Sequence, residues 1–252
     1  KDHLWILAQM LRLALPVLIV VTLLRDSLAL AWVDVEQLVE ERGGHMNVRL
    51  KRTEVEGHGL VATTDLDIGD TLLEIPRDLY MSPTFPKARR EESSIVGGPS
   101  RFPDLKRALQ HFRLGKSLLD VYHLAIRLLA LLDDEASILY PWLRTLPGNP
   151  QDSPQFPITW SDRHIGLLQR VSVAVGNQLW DAKRAHQAAF RQGVGEAMRR
   201  VVPAERNTEE WWLWAVAVVQ SQVTHIQDLV QQVYEDGALR MVAVLDKFNH
   251  RG

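Results

Sequence analysis

Two short clusters in this chain combine residue types that chemistry can use. The first is Gly57-His58-Gly59-Leu60, within EGHGLVATTDLDIGDTLLEIP from Glu56 to Pro76. The second is Asp246, Asn249 and His250, in LDKFNH near the last residue. Glycine has no Cβ, so backbone N–H and C=O groups at Gly57 and Gly59 can come close to a bound molecule. The same glycines suit a tight turn between strands, and a Gly-x-Gly alone does not choose. Asn and His side chains can hold the polar ends of a ligand, while Asp and Asn at a strand end also bond local backbone. Other reactive constellations are missing. There is no cysteine, which removes disulfides, thiolate metal sites and a cysteine nucleophile. The nine histidines form no HExxH pair, and there is no EF-hand loop, GxSxG elbow or GxxxxGK(S/T) phosphate loop. No metal site is expected.

A scaffold must hold these clusters, and 252 residues are ample for a buried core. Apolar residues make up 46% and charged residues 24%, a globular composition. The net charge of −2 offers no basic surplus, so nucleic acid is not expected as a partner. Val33 to Arg42 carries Val35, Leu38 and Val39 at helical spacing, and Gly43-Gly44 ends it. The period then changes. NVRLKRTEV alternates as a half-buried strand does, LVAT continues extended, and TLLEIP is a further short strand. DLDIGD between them is a turn, with Gly69 suited to a positive φ.

Thr84 to Pro103 reads as a polar loop, its KARREE run a solvated surface. From Asp104 the helical period returns. Leu105, Leu109 and Phe112 line one helix, Leu118 to Leu132 is a buried one, and YPWLRTLPGNP is an aromatic-proline connection. Asp162 to Gln169, Ala174 to Val201 and Glu209 to Ser221 read as three more helices. In the last of these, Trp211, Trp212 and Trp214 are expected in the core, because tryptophan buries a large area. His225 has neither partner nor metal spacing in the sequence. LRMVAVLDKFNH is a strand-like run leading into Asn-His. Strands followed by a long helical stretch and a final strand do not make alternating βαβ units, so the expected class is α+β: a small β-rich core with a large all-helical insertion.

Ahead of this lies LALPVLIVVTLL, Leu13 to Leu24, an uncharged run bounded by Arg12 and Arg25. It is shorter than the about 20 residues of a spanning helix. Read from Met10 it has the form of a secretory signal, with Ala29-Leu30-Ala31 as the small-x-small cleavage site. The rival readings are a signal anchor continuing to Val33, with membrane association through residues 10–33, and a buried core helix. The signal readings imply the secretory pathway, a membrane or a plastid reached through the endoplasmic reticulum; a core helix leaves the cytoplasm. The chain begins at Lys1 and ends on KFNHRG, which reads as a fragment of a longer chain.

With this layout in place, several blocks resemble one family. GHGLVATTDLDIGDTLLEIP is similar to the opening block of SET-domain methyltransferases that carry a long helical insertion, the group of the Rubisco large-subunit lysine methyltransferases and the actin-histidine methyltransferase. That block reads Gly-x-Gly-Leu-(Phe/Val)-Ala-Thr, an acidic-apolar turn with Gly, then Leu-Leu-x-Ile-Pro. YPWLRTLP looks like the family's Tyr-x-x-Leu-(Arg/Lys)-x-Leu-Pro segment, TWSDRHIGLLQ resembles the block after it, and EEWWLWAVAVVQSQ stands where the last insertion helix is found. MVAVLDKFNH is similar to Met-Val-Pro-Leu-x-Asp-x-x-Asn-His. The match covers roughly residues 33–252, in the family's order.

The resemblance implies transfer of a methyl group from S-adenosylmethionine to an amine nitrogen of a protein substrate, with lysine the expected acceptor and histidine the alternative. Such a transfer is largely a matter of alignment, and the acceptor must be neutral when it attacks. The resemblance implies that Gly57, His58, Gly59 and Leu60 form one wall of the cofactor pocket, and Asp246, Asn249 and His250 the other. His58 itself is expected to point outward or pack rather than catalyse. It also implies the division 1–31 signal-like or anchor segment, 32–100 first half of the SET core, 101–220 helical insertion, and 221–252 the incomplete start of the second half. The catalytic group is unknown here, because the family's channel tyrosine matches no residue and is expected beyond Gly252. Three positions depart from the family. Gln222 follows Ser221 where the family has arginine, Ala243 replaces a proline, and Lys247 replaces an apolar residue. Two other readings stand beside the enzyme: a degenerate SET-like module that binds proteins, and a membrane-anchored helical interaction protein.

Overall fold

The structure, a computed structural model, describes residues 32–53, 57–83, 115–151, 156–224 and 240–244. The apolar segment before Trp32, the 84–103 loop, the helix expected around Leu105 to Phe112, His225, and Asp246, Asn249 and His250 all lie outside the described residues.

Helix α1 covers 32–41. Trp32, Val35 and Val39 form its buried stripe, at the spacing of one helical face. It stops as its glycines predict. Gly43 N–H donates to Glu40 O and Gly44 N–H to Val39 O, each at 2.9 Å, with Gly43 left-handed at φ +79°. This is the Schellman arrangement, in which a glycine satisfies the last free carbonyls of a helix. Gly44 is there for space. A Cβ on it would lie 2.5 Å from Glu74 O, 2.6 Å from Pro76 Cδ and 2.7 Å from Val39 Cγ1. Gly44→Ala is therefore expected to destabilise the fold by about 1–3 kcal/mol, as overpacking does, seen as a lower midpoint in urea denaturation.

The extended region holds β1 (His45–Met46), β2 (Val48–Thr53), β3 (Gly57–Ala62) and β4 (Leu73–Glu74). β2 and β3 pair antiparallel from Val48 opposite Ala62 to Thr53 opposite Gly57, and β1 pairs with β4. The turn before β4 has Gly69 at φ +106°, the conformation its sequence asks for. A single 3-10 turn, Arg77–Leu79, leads into β5 (Tyr80–Met81).

The helices follow: α2 (Lys116–Leu131), α3 (Tyr140–Leu143), α4 (Asp162–Val171), α5 (Val173–Ala189), α6 (Gly195–Met198) and α7 (Glu209–Gln222). α2 and α7 pack against each other at the centre. Each is apolar on nearly all sides, α7 being buried without a break from Trp212 to Val219, the pattern of a helix enclosed in a core. Thr208 starts α7, its Oγ1 accepting from Trp211 N–H at 3.3 Å, and Glu209 and Glu210 sit in the positive first turn. The single helix expected over Ala174 to Val201 is divided. α5 ends at Ala189, a π-helical turn spans Phe190–Val194, and α6 follows. The cause is local: Gly193 leaves helical geometry, and Gly195 lies so close to Phe190 that an added Cβ would be 3.0 Å from the ring. No helix among the described residues is long and apolar enough to cross a membrane.

Candidate functional site

The central small sheet is ordered β5, β7 (Arg240–Val242), β6 (Val223–Thr224), all antiparallel. Met241 stands opposite Met81 on one side and Val223 on the other. One end of this sheet is clamped by charge. Arg240 Nη1 donates to Ser82 Oγ at 2.5 Å, and Arg127 from α2 donates to the Ser82 carbonyl. Ser82 is buried, and these two arginines join the β5 end to both β7 and the helical layer.

β7 leaves the sheet at the opposite end, and two features mark that exit. Val244 is fully buried and left-handed at φ +76°. For a β-branched residue this backbone costs about 1–3 kcal/mol and persists only where packing over-determines it. Gln222, the last residue of α7, stands level with Val242 when the β6–β7 register is continued by one pair. Its Oε1 is buried with no hydrogen-bond partner among the described residues. Buried acceptors are nearly always satisfied, so a donor for this carbonyl is to be sought outside the described residues.

Of the residues singled out in the sequence, Gly57, His58, Gly59 and Leu60 lie together on β3, opposite Thr53, Arg52, Lys51 and Leu50. The two glycines are thus strand residues and not a turn. Gly59 is buried and Leu60 packs partly against the main core. Glycine inside a strand weakens it, and marks a place where other backbone or a ligand approaches closely. Their proposed counterparts Asp246, Asn249 and His250 follow β7 and lie outside the described residues.

The sequence reading missed the buried polar groups of the helical layer. Tyr122 Oη lies 2.9 Å from His186 Nδ1, and Trp212 Nε1 donates to His186 O at 3.0 Å. Tyr122 also packs edge-on against Trp212, 4.9 Å between centroids. Burial holds both ionisable groups neutral, raising the Tyr122 phenol to about 12 and lowering the His186 imidazole to about 4. Lys183 is buried as well, its Nζ donating to Trp160 O at 2.7 Å and to Asp162 Oδ1 at 3.0 Å. Arg206 pairs with Asp133 and lies 5.4 Å over the Trp211 ring. These groups tie helices to one another within the core. Their sequence signal was faint: Lys183 and His186 are three apart, on the face of α5 that also buries Ala189.

No protein-family model matches the sequence, and no curated protein does. Solved structures do match in fold. Rubisco LSMT bound to sinefungin and monomethyllysine superposes with a TM-score of 0.56 at 18% identity. The SET domain of LSMT bound to lysine and AdoHcy gives 0.56 at 17%, and Rubisco LSMT bound to AdoMet gives 0.53 at 16%. Each superposition covers 88% of this chain and 45% of the other, so this chain spans less than half the length of the structures it resembles. The architecture is therefore SET-like, a set of short strands around a helical body.

Proposed function

We propose that this chain belongs to an S-adenosylmethionine-dependent protein N-methyltransferase acting on a lysine of a protein substrate. The observation that carries the reading is the fold shared over 88% of the chain with structures that hold AdoMet, AdoHcy, lysine or monomethyllysine. Two local features support it. Gly57 begins β3 and Gly59 lies inside it, and Gln222 beside the exit of β7 carries a buried acceptor with no partner among the described residues.

On this reading the functional division follows the resemblance: residues 32–100 and 221–252 contribute to the core, and 101–220 form the insertion. S-adenosylmethionine supplies, when bound, an electrophilic methyl carried on a sulfonium. The chain's own part is to bind and orient. Gly57 to Leu60 offer backbone donors and acceptors without Cβ obstruction at the glycines. Asp246, Asn249 and His250 hold the polar ends from the other side. Gln222 Oε1 accepts from a ligand donor, either the ammonium group or a ribose hydroxyl. Clamping of β5 to β7 through Ser82 fixes the strand from which residue 245 onward departs.

The test is calorimetric titration of the full-length protein with S-adenosylmethionine and with sinefungin. Saturable binding is expected. Gln222→Met, which keeps the length and removes the acceptor, is expected to weaken it about tenfold, the scale of one net hydrogen bond. A protein folded by circular dichroism that binds neither ligand would sink the enzyme reading and leave the protein-binding module.

A further inference from the structure

Two exposed features of this chain are unused by the reading above, and each supplies what the other lacks. The first is the turn between β3 and β4. Ile68 projects completely into solvent at 108% relative exposure, with Leu72 half exposed behind it. Asp65 and Asp67 precede it in the turn, exposed and without an ion-pair partner among the described residues. The turn is held in shape. Asp70 N–H donates to Asp67 O at 3.1 Å, the Asp70 carboxylate accepts from Asp67 N–H at 2.8 Å, and Asn47 Nδ2 donates to Thr71 O at 2.8 Å. Ile68 is thus presented on a preorganised loop, which lowers the ordering cost of binding.

The second is the hairpin of α4 and α5, joined by Ser172 alone. The two helices meet closely at Gly176, where an added Cβ would be 2.5 Å from Gln169 Cα. Beside this contact is a groove of about 750 Å³, lined by Arg163, Gly166, Leu167, Gln169, Arg170 and Val173. Its floor is open, since nothing lies within 4 Å of where a Cβ on Gly166 would be. Leu167 and Val173 are about half exposed or more, and neighbouring Val171 almost fully. Arg163 and Arg170 are exposed and make no ion pair among the described residues.

An apolar knob beside two carboxylates matches a groove lined by Leu167 and Val173 together with two guanidiniums, none of these four charges being in an ion pair among the described residues. We propose that the protein self-associates head to tail, with the Ile68 turn of one copy seated in the α4–α5 groove of the next. Both features are exposed on the same chain, so they do not satisfy each other within it. The contact joins two different surfaces, and repetition builds rings or open chains rather than closed two-fold dimers. A single knob buries well under the about 1,000 Å² of a stable interface. The association is therefore weak, and its charged rim makes it sensitive to salt.

Sedimentation velocity of the full-length protein tests this. In low salt the weight-average sedimentation coefficient is expected to rise with concentration, and in high salt to return to the monomer value. Ile68→Asp and Val173→Asp, both at exposed positions, are each expected to remain monomeric while keeping the wild-type circular dichroism. An equimolar mixture of the two retains one intact knob and one intact groove. It is expected to regain association and to stop at the dimer. A wild-type protein that is monomeric throughout overturns the proposal, as do association that both variants retain and a mixture that stays monomeric. If the groove instead serves a different partner, the wild type stays monomeric and the proposal fails.

Discussion

Trp212→Ala is expected to lower the stability of the fold by about 3–5 kcal/mol, the range for removing a large aromatic from a closed core. The ring is fully buried where α7 crosses the helical layer, and it stacks edge-on with Tyr122. Its Nε1 donates to the backbone carbonyl of His186, so truncation leaves a cavity and removes one of the two hydrogen bonds that carbonyl accepts, the other coming from Phe190 N–H. Trp212→Phe separates these contributions. It keeps most of the apolar volume and loses the donor, and is expected to cost about 1–3 kcal/mol. Urea denaturation measures both, as a shift of midpoint with the slope unchanged. A loss under about 1 kcal/mol for the alanine variant would show that the helical layer is not one cooperative core.

The second large effect comes from acid. Burial lowers the His186 imidazole to about 4 from its ordinary 6.5. The unfolded chain therefore binds this proton more tightly than the folded one. The contribution of the neutral imidazole is complete above pH 6.5 and declines as pH falls through 4. At 1.36 kcal/mol for each pH unit, the whole loss is about 3 kcal/mol. Protonation would also make Nδ1 a donor towards Tyr122, whose phenol is itself held neutral by burial. His186→Gln cannot take up this proton. Between pH 7 and pH 4 the wild type should lose about 3 kcal/mol more than the variant, from urea curves at each pH. Parallel losses in the two proteins would assign the acid sensitivity to the carboxylates instead.

Local pattern marked Trp212 as a core residue, but it marked neither its hydrogen bond to His186 O nor the burial of His186. Alternation of apolar and polar residues in NVRLKRTEV revealed β2, since a half-buried strand writes its period of two into the sequence. Gly69 revealed its own left-handed turn, and Gly43-Gly44 the end of α1, because few other residues accept those conformations. The all-apolar stretches of α2 and α7 announced buried helices. The Tyr122–His186 contact spans 64 positions and the Arg240–Ser82 contact 158. Nothing local in a sequence specifies which distant partner a polar side chain meets. The π-helical turn after α5 was hidden for a related reason: Phe190 and Gly195 conform to a helical pattern one by one, and only their close approach shows the break.

The candidate site was legible in a different way. Its blocks were found through their order and their likeness to a family, and the structure places one of them on β3. Gln222 was visible in the sequence only as a departure from an expected arginine. That its carbonyl, at the edge of the β5–β7–β6 sheet, is buried with no partner among the described residues is a matter of three-dimensional packing. MVAV reads as continuous strand because valine favours extended backbone. The pairing nevertheless stops at Val242, and Val244 turns left-handed, a conformation no valine advertises.

The distribution of tryptophan has a consequence for how this protein is observed. Trp142, Trp212 and Trp214 are fully enclosed and Trp32 nearly so, and no described tryptophan lies on a strand. Emission from these four indoles should be blue-shifted and report on the water exclusion of the helical layer, while Trp160, Trp180 and Trp211 are only partly buried. Far-ultraviolet dichroism is dominated by the same helices. Agreement between the two signals during unfolding would compare the helical layer with itself, leaving the β2–β3 hairpin unobserved. A fluorophore attached to a cysteine introduced at exposed Arg49 supplies the missing vantage point. Separation of its transition from the indole transition would show that the strand carrying the glycines opens independently of the helices.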